Sequence, residues 1–207
     1  MKHIVRRYRY WLILVVVILN ACTGVAVKEP VAGGKAAYEA RAVEISAIHD
    51  WSLVAKISLD DGDDGGSGKL QWDVSGDSAN LDFHGAMGRG AWHLRIDSDA
   101  AVLSEASGET QTANSVNDLI QRRIGWPLPV DALQWWVRGL AAPGAVDEEQ
   151  FDSSGLLTHL EQFGWSIKIN RYKTFAGLDL PVRLDARRDE FRVKLAIGRW
   201  HIGSEAR

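Results

Sequence analysis

The chain has 207 residues with 24 Lys and Arg, 27 Asp and Glu, six His and a single Cys, for a formal net charge of −3. That length suits one domain with a sizeable core. The acidic balance argues against nucleic acid, whose binding rests on neutralised phosphates, and one cysteine excludes an internal disulfide or a cysteine-built metal cluster.

The chain opens on a cationic stretch with Lys2, Arg6, Arg7 and Arg9, followed by an unbroken apolar run over 11–19 and a small residue before Cys22. A charged start, a short apolar middle and a small-residue cleavage position make a secretory leader, and the run is too short for a span of about 20 residues. Leu19-Asn20-Ala21-Cys22-Thr23 resembles a bacterial lipobox, which implies cleavage after 21 and acylation of Cys22. Without the leader the chain keeps 20 basic and 27 acidic residues, a net charge of −7. Thr23 follows the cysteine where Asp would hold a lipoprotein at the inner membrane, so the resemblance implies release to the outer membrane.

Residues 22–34 are small and apolar, broken by Pro30 and Gly33-Gly34, and read as a flexible tether to a domain over 35–207. An amphipathic helix is expected over 35–48, with Ala36, Ala37, Ala40, Val43 and Ala47 inward. From Trp51 the period drops to two. Trp51, Leu53, Ala55, Ile57 and Leu59 alternate with polar residues, with Val54 as the exception, and Leu70, Trp72 and Val74 follow suit. The pattern returns at Leu81 and Phe83, at Trp92, Leu94 and Ile96, around Val102, and then at Trp165, Ile167 and Ile169. Val182, Leu184 and Ala186, and Phe191, Val193, Leu195 and Ile197, complete it. Strands with one apolar and one wet face, joined by short turns, predict a mainly β fold: an antiparallel sheet curled into a barrel or half-barrel around its apolar side.

Two short helices interrupt the strands. Asn114-Ser115 with Asp118 is a capping-box-like start for Val116, Leu119, Ile120 and Ile124, and Pro129 and Asp131 open a second helix with Leu133, Trp136, Val137 and Leu140 on one face. Both are placed to cover the mouth of the curled sheet.

The acidic stretch 60–69 lacks the spacing and closing Glu of a calcium loop and the Gly and Ser/Thr positions of a phosphate loop, and so reads as a solvated hairpin loop. The histidines at 3, 49, 84, 93, 159 and 201 show no ligand spacing, Ser67 and Ser104 lack a nucleophile-elbow context, and Glu148-Glu149 reads as a solvated turn. No enzyme activity, cofactor or metal is expected. Eight tryptophans follow the leader, several on the apolar faces of strands, where they either fill a core or line a cavity. In the glycine-rich loop 84–90, Met87 occupies a tip where a polar residue would be cheaper: it either tucks back on the barrel or is exposed toward lipid.

These residues together resemble the LolB family of outer-membrane lipoprotein receptors. The likeness runs through the lipobox, Trp51-Ser52-Leu53, Leu70-Gln71-Trp72, Gly85-Ala86-Met87-Gly88, Gly125-Trp126-Pro127-Leu128-Pro129-Val130 and Leu133-Gln134-Trp135-Trp136-Val137-Arg138-Gly139-Leu140. It continues at Gly164-Trp165, Leu180-Pro181 and Trp200. The family fold is an open antiparallel half-barrel whose apolar cavity is covered by short helices. The resemblance implies that the protein, a monomer, accepts triacylated lipoproteins from the periplasmic carrier LolA and inserts them into the inner leaflet of the outer membrane. In this family a protruding loop carries an apolar residue before a Gly, which falls here on Met87 and Gly88; the expected acyl-chain lining is Trp72, Trp92, Leu94, Leu119, Trp136 and Ile167. Three rivals share parts of this pattern: the soluble carrier itself, which Cys22 disfavours; a structural envelope lipoprotein with a filled core; and an esterase on envelope lipids, which needs a serine or acid beside a base.

Overall fold

The computed structural model describes residues 32–86, 90–125 and 127–203. The leader, Cys22, most of the expected tether, Met87, Gly88 and Trp126 lie outside them. The described chain begins with helix α1 (Ala32–Ser46), which starts ahead of the expected position 35. Its buried face is Tyr38 and Ile45, while Val43 is 72% exposed. The expected alanine stripe is therefore not the packing face, because a tyrosine and an isoleucine remove more apolar area from water than several methyl groups.

Eleven strands form one antiparallel sheet: β1 (Asp50–Asp60), β2 (Gly65–Ser75), β3 (Ser78–Gly85), β4 (Trp92–Ile96), β5 (Ala101–Glu105), β6 (Thr110–Ala113), β7 (Glu148–Phe151), β8 (Leu157–Gln162), β9 (Trp165–Phe175), β10 (Leu178–Arg188) and β11 (Phe191–Ile202). The order across the sheet is β6-β5-β4-β3-β2-β1-β11-β10-β9-β8-β7, with β6 and β7 left as edges, so the sheet stays open as a half-barrel. Neighbours in the sheet are adjacent in sequence everywhere except at the centre, where β1 meets β11 and joins the two halves.

Period-two alternation becomes an inward row on each long strand. Trp51, Leu53, Ala55 and Ile57 of β1, Leu70, Trp72 and Val74 of β2, Leu180, Val182, Leu184 and Ala186 of β10, and Val193, Leu195 and Ile197 of β11 are all buried. Trp200 of β11 would point outward on strict alternation. A register shift opposite Val54/Ala55, with Gly198 as the extra residue, re-phases the strand and returns Trp200 to the core. Around Val102 the phase is the reverse of a Val-inward strand: Ala101 and Leu103 are buried and Val102 is half-buried.

Two expectations are corrected. Much of 60–69 is strand, leaving a turn of four residues, 61–64, in which the carboxylates of Asp60 and Asp61 accept the backbone N–H groups of Gly62, Asp63 and Asp64. Glu148-Glu149 belongs to β7 rather than a turn. That edge is covered by α1, through the Lys35–Glu149 ion pair at 2.7 Å and the Tyr38 and Phe151 rings 4.5 Å apart.

Helix α2 (Val116–Ile124) has Ser115 as its N-cap, accepting from the Asp118 N–H, and ends on Gly125 in the left-handed conformation. Helix α3 (Val130–Trp136) follows Pro129. Asn117 joins the two: its Oδ1 accepts the Val130 N–H at 2.8 Å and its Nδ2 donates to Asp131 at 3.1 Å. Burial raises the Asp131 carboxyl above its ordinary range, against the lowering effect of Asn117. The paired helices lie over the concave face of the sheet.

Candidate functional site

The concave face is packed unequally. Toward the ends of β1 and β2 that carry Trp51 and Val74, three indoles meet: Trp51 lies 5.5 Å from Trp72 and 5.6 Å from Trp200. The Trp200 Nε1–H donates to the Pro181 carbonyl at 2.9 Å. Arg138, just past α3, lies 5.6 Å from the Trp51 ring and 4.8 Å from the Trp135 ring. Its guanidinium donates to the carbonyls of Gln134, Ile45 and Ile48, which fastens the end of α3 to the end of α1. Arg138 is 6% exposed, and burial lowers its pKa to about 10.

On the β8–β9 side, Trp136 and Trp165 fill the space, with ring centroids 6.5 Å apart. Gln162, completely buried, accepts from the Trp136 Nε1–H and from the Ala142 N–H, both at 2.9 Å, and returns a bond to the Ala142 carbonyl at 2.7 Å. An amide at the end of β8 thus holds α3 and the segment after it. This role has no signature in the strand pattern, since Gln162 occupies an inward position where that pattern wants an apolar residue.

At the opposite end of β1–β4 the described residues leave part of the interior unfilled. There an enclosed cavity of about 40 Å³ is lined by apolar residues alone, among them Ile57, Leu70, Leu81 and Leu94 from the sheet and Ile120 and Leu133 from the helices. Its outer wall is Phe83 and Trp92, stacked at 5.3 Å with an interplanar angle of 20°. Gly68 makes room for this wall: a Cβ there would lie 2.5 Å from the Phe83 ring and 2.4 Å from the His84 carbonyl oxygen. Beyond Phe83 and Trp92 an open depression of about 430 Å³ reaches the surface, rimmed by Arg123 of α2 and Glu105 of β5. These two form an ion pair with two hydrogen bonds that ties the end of α2 to the sheet, and the Arg123 guanidinium holds the Glu105 carboxyl below its ordinary range.

Of the six residues expected along an acyl cavity, Trp92 and Leu94 line this space. Trp72 belongs to the indole cluster, Trp136 to the Gln162 assembly, and Leu119 and Ile167 are fully buried in the core. The cavity residues not anticipated are mostly aliphatic, and nothing in a strand pattern separates a residue that fills a core from one that borders a void. Glu148, His159 and Glu161, which share no sequence spacing, bring ligand atoms within 4.8 Å of one another through the pairing of β7 with β8. Among the described residues no hydrogen bond reaches the buried His159 Nδ1, so none of them supplies the backing acceptor that orients a metal-bound imidazole.

A half-barrel closed by two helices over an apolar void is the setting in which the comparisons with known proteins fall. The model of the family "Outer membrane lipoprotein LolB" matches residues 49–200. The chain belongs to the LolB family. It is 32% identical over 190 residues to the outer-membrane lipoprotein LolB of Alkalilimnicola ehrlichii, covering 91% of this chain and 94% of that protein. It is 33% identical to the LolB of Pseudomonas syringae pv. syringae, covering 89% and 91%. Among solved structures, a domain from Vibrio parahaemolyticus named for outer membrane lipoprotein sorting superposes with a TM-score of 0.52 at 8% identity, covering 83% of this chain and 92% of that one, which supports the fold. The chain is an outer-membrane lipoprotein of the LolB family, and its role lies in lipoprotein localisation.

Proposed function

We propose that the protein, anchored through acylated Cys22, receives triacylated lipoproteins from the carrier LolA and places them in the inner leaflet of the outer membrane, with the space behind Phe83 and Trp92 as its acyl-chain receiver. The observation that carries this reading is the apolar cavity between β1–β4 and helices α2 and α3, in a chain of the LolB family. An acyl chain of about 16 carbons costs on the order of 10 kcal/mol to expose, at about 0.8 kcal/mol per CH₂, so cargo must pass from one apolar space to another.

At about 40 Å³ the cavity has room for roughly three waters and not for an acyl chain. On this reading the described conformation is the closed form, and loading would part the helices from the sheet. The Glu105–Arg123 pair and the stacked Phe83 and Trp92 are the contacts at the mouth that must yield. The receiver needs no energy source if it binds the chains more tightly than the donor: a difference of about 2.7 kcal/mol favours transfer about a hundredfold.

Met87 and Gly88, in the loop between β3 and β4, would meet the bilayer and assist release. Measuring uptake from the carrier and insertion into vesicles separately for Met87→Glu tests this. Uptake retained with slowed insertion is the expected result; insertion at the wild-type rate removes the loop from the mechanism.

A further inference from the structure

The convex face of the sheet carries a charge pattern that cargo binding does not use. Cross-strand pairing aligns His84 of β3, Lys69 of β2, Lys56 of β1, Ala196 of β11 and Arg183 of β10 in one row. A second row, one pleat nearer the mouth, sets Lys194 of β11 between Ser58 and Asp185. Between them lies an open groove of about 850 Å³ lined by five Lys and Arg against a single carboxylate, Asp185, in a chain whose overall charge is negative. That carboxylate is engaged by Arg192 and Arg187. Lys56, Lys69, Arg183 and Lys194 are exposed and make no ion pair among the described residues.

Like charges directly opposite on an antiparallel pair are destabilising, and Lys56 faces Lys69 in register with no anion between them. The fold carries this cost within the continuous β1–β2 register.

We infer that this groove is a docking surface for anionic phospholipid headgroups. The cations do not converge on one point. They are spread over strands about 4.8 Å apart and most are lysines, compact charges on flexible stems, which suits several phosphates in a plane better than one bound ion. Ala86 lines the groove and immediately precedes the loop 87–89, so a loop that meets the bilayer brings the groove to headgroup level beside it. This inference rests on the membrane-facing role of that loop. It adds an orientation: the convex face of β1, β2 and β11 lies toward the leaflet at the same end as the cavity mouth.

The test uses the full acylated chain in nanodiscs of neutral phosphatidylcholine or of phosphatidylcholine with phosphatidylglycerol, with lysine-reactive labelling read residue by residue by mass spectrometry. Labelling of Lys56, Lys69 and Lys194 is expected to fall at least about fivefold on the anionic discs and to recover at high salt, with the exposed Lys173 unchanged. Equal labelling on both discs overturns the inference. So does the same protection by inorganic phosphate on neutral discs, which marks a free-anion site, or protection that requires added carrier, which marks an acidic protein face. Cargo uptake followed in the same samples separates the two claims: normal uptake without protection overturns the groove alone, and protection without uptake overturns the transfer reading and leaves the groove standing.

Discussion

The two ends of the concave face are built from the same strands and do opposite things. Where Trp51, Trp72 and Trp200 meet, large rigid rings and the buried Arg138 close the interior and tie α1 to the end of α3. Where Leu59, Leu81 and Leu94 face α2 and α3, smaller side chains leave a void behind the stacked rings of Phe83 and Trp92. Aromatic bulk here makes the scaffold; aliphatic side chains border the void. The half-barrel is stiffened at the end away from the void.

The largest effect should come from breaking the stiff end. Trp51→Ala removes the ring that joins Trp72, Trp200 and Arg138, and is expected to cost about 3–5 kcal/mol in urea unfolding. Next is Gln162→Ala, which strands the Trp136 Nε1–H and both backbone groups of Ala142 in a dry interior, at about 1–3 kcal/mol for an unsatisfied group. A loss of about 3 kcal/mol is expected, and less than 1 kcal/mol would show that water replaces the amide. At the proposed receiver the order of effects inverts. Leu133→Phe extends a side chain into the void, so stability should change by less than about 1.5 kcal/mol while affinity for an acyl ligand falls at least tenfold in a fluorescence titration.

The smallest effect on stability belongs to the mouth. Glu105 is held below its ordinary value by Arg123, so the pair's contribution is fully present above the ordinary range near 4.5 and is lost as pH falls through the lowered folded value. Acyl-probe uptake by the wild type should therefore quicken as the pH is lowered through that interval, and Arg123→Gln should be fast at neutral pH and lack this dependence. A pH response that survives in Arg123→Gln would place the latch elsewhere.

The strands richest in alternation were the most legible in the sequence, because a half-buried strand between neighbours must show its two faces. The edges were not. β6 is Thr-Gln-Thr-Ala and β7 is Glu-Glu-Gln-Phe, short and polar as sheet edges tend to be, and β8 hides its period because inward Gln162 is polar. Gly65-Gly66-Ser67-Gly68 reads as loop by composition, yet it is strand, with Gly68 small because Phe83 lies across it. The two covering helices could be read from a capping serine and a proline, but which residues border the void depends on how the helices seat. Trp72 and Trp136 illustrate the limit: as inward aromatics they were natural choices for a lining, and both are committed to the scaffold instead.

The most direct test of unequal ends is methyl NMR of the mature chain titrated with a palmitoylated peptide. The account predicts that shifts and ligand contacts gather at Leu70, Leu81, Leu94 and Leu133, with Leu53, Leu157, Leu160 and Leu180 unmoved. Contacts centred on that second set, or spread evenly over both, would contradict it.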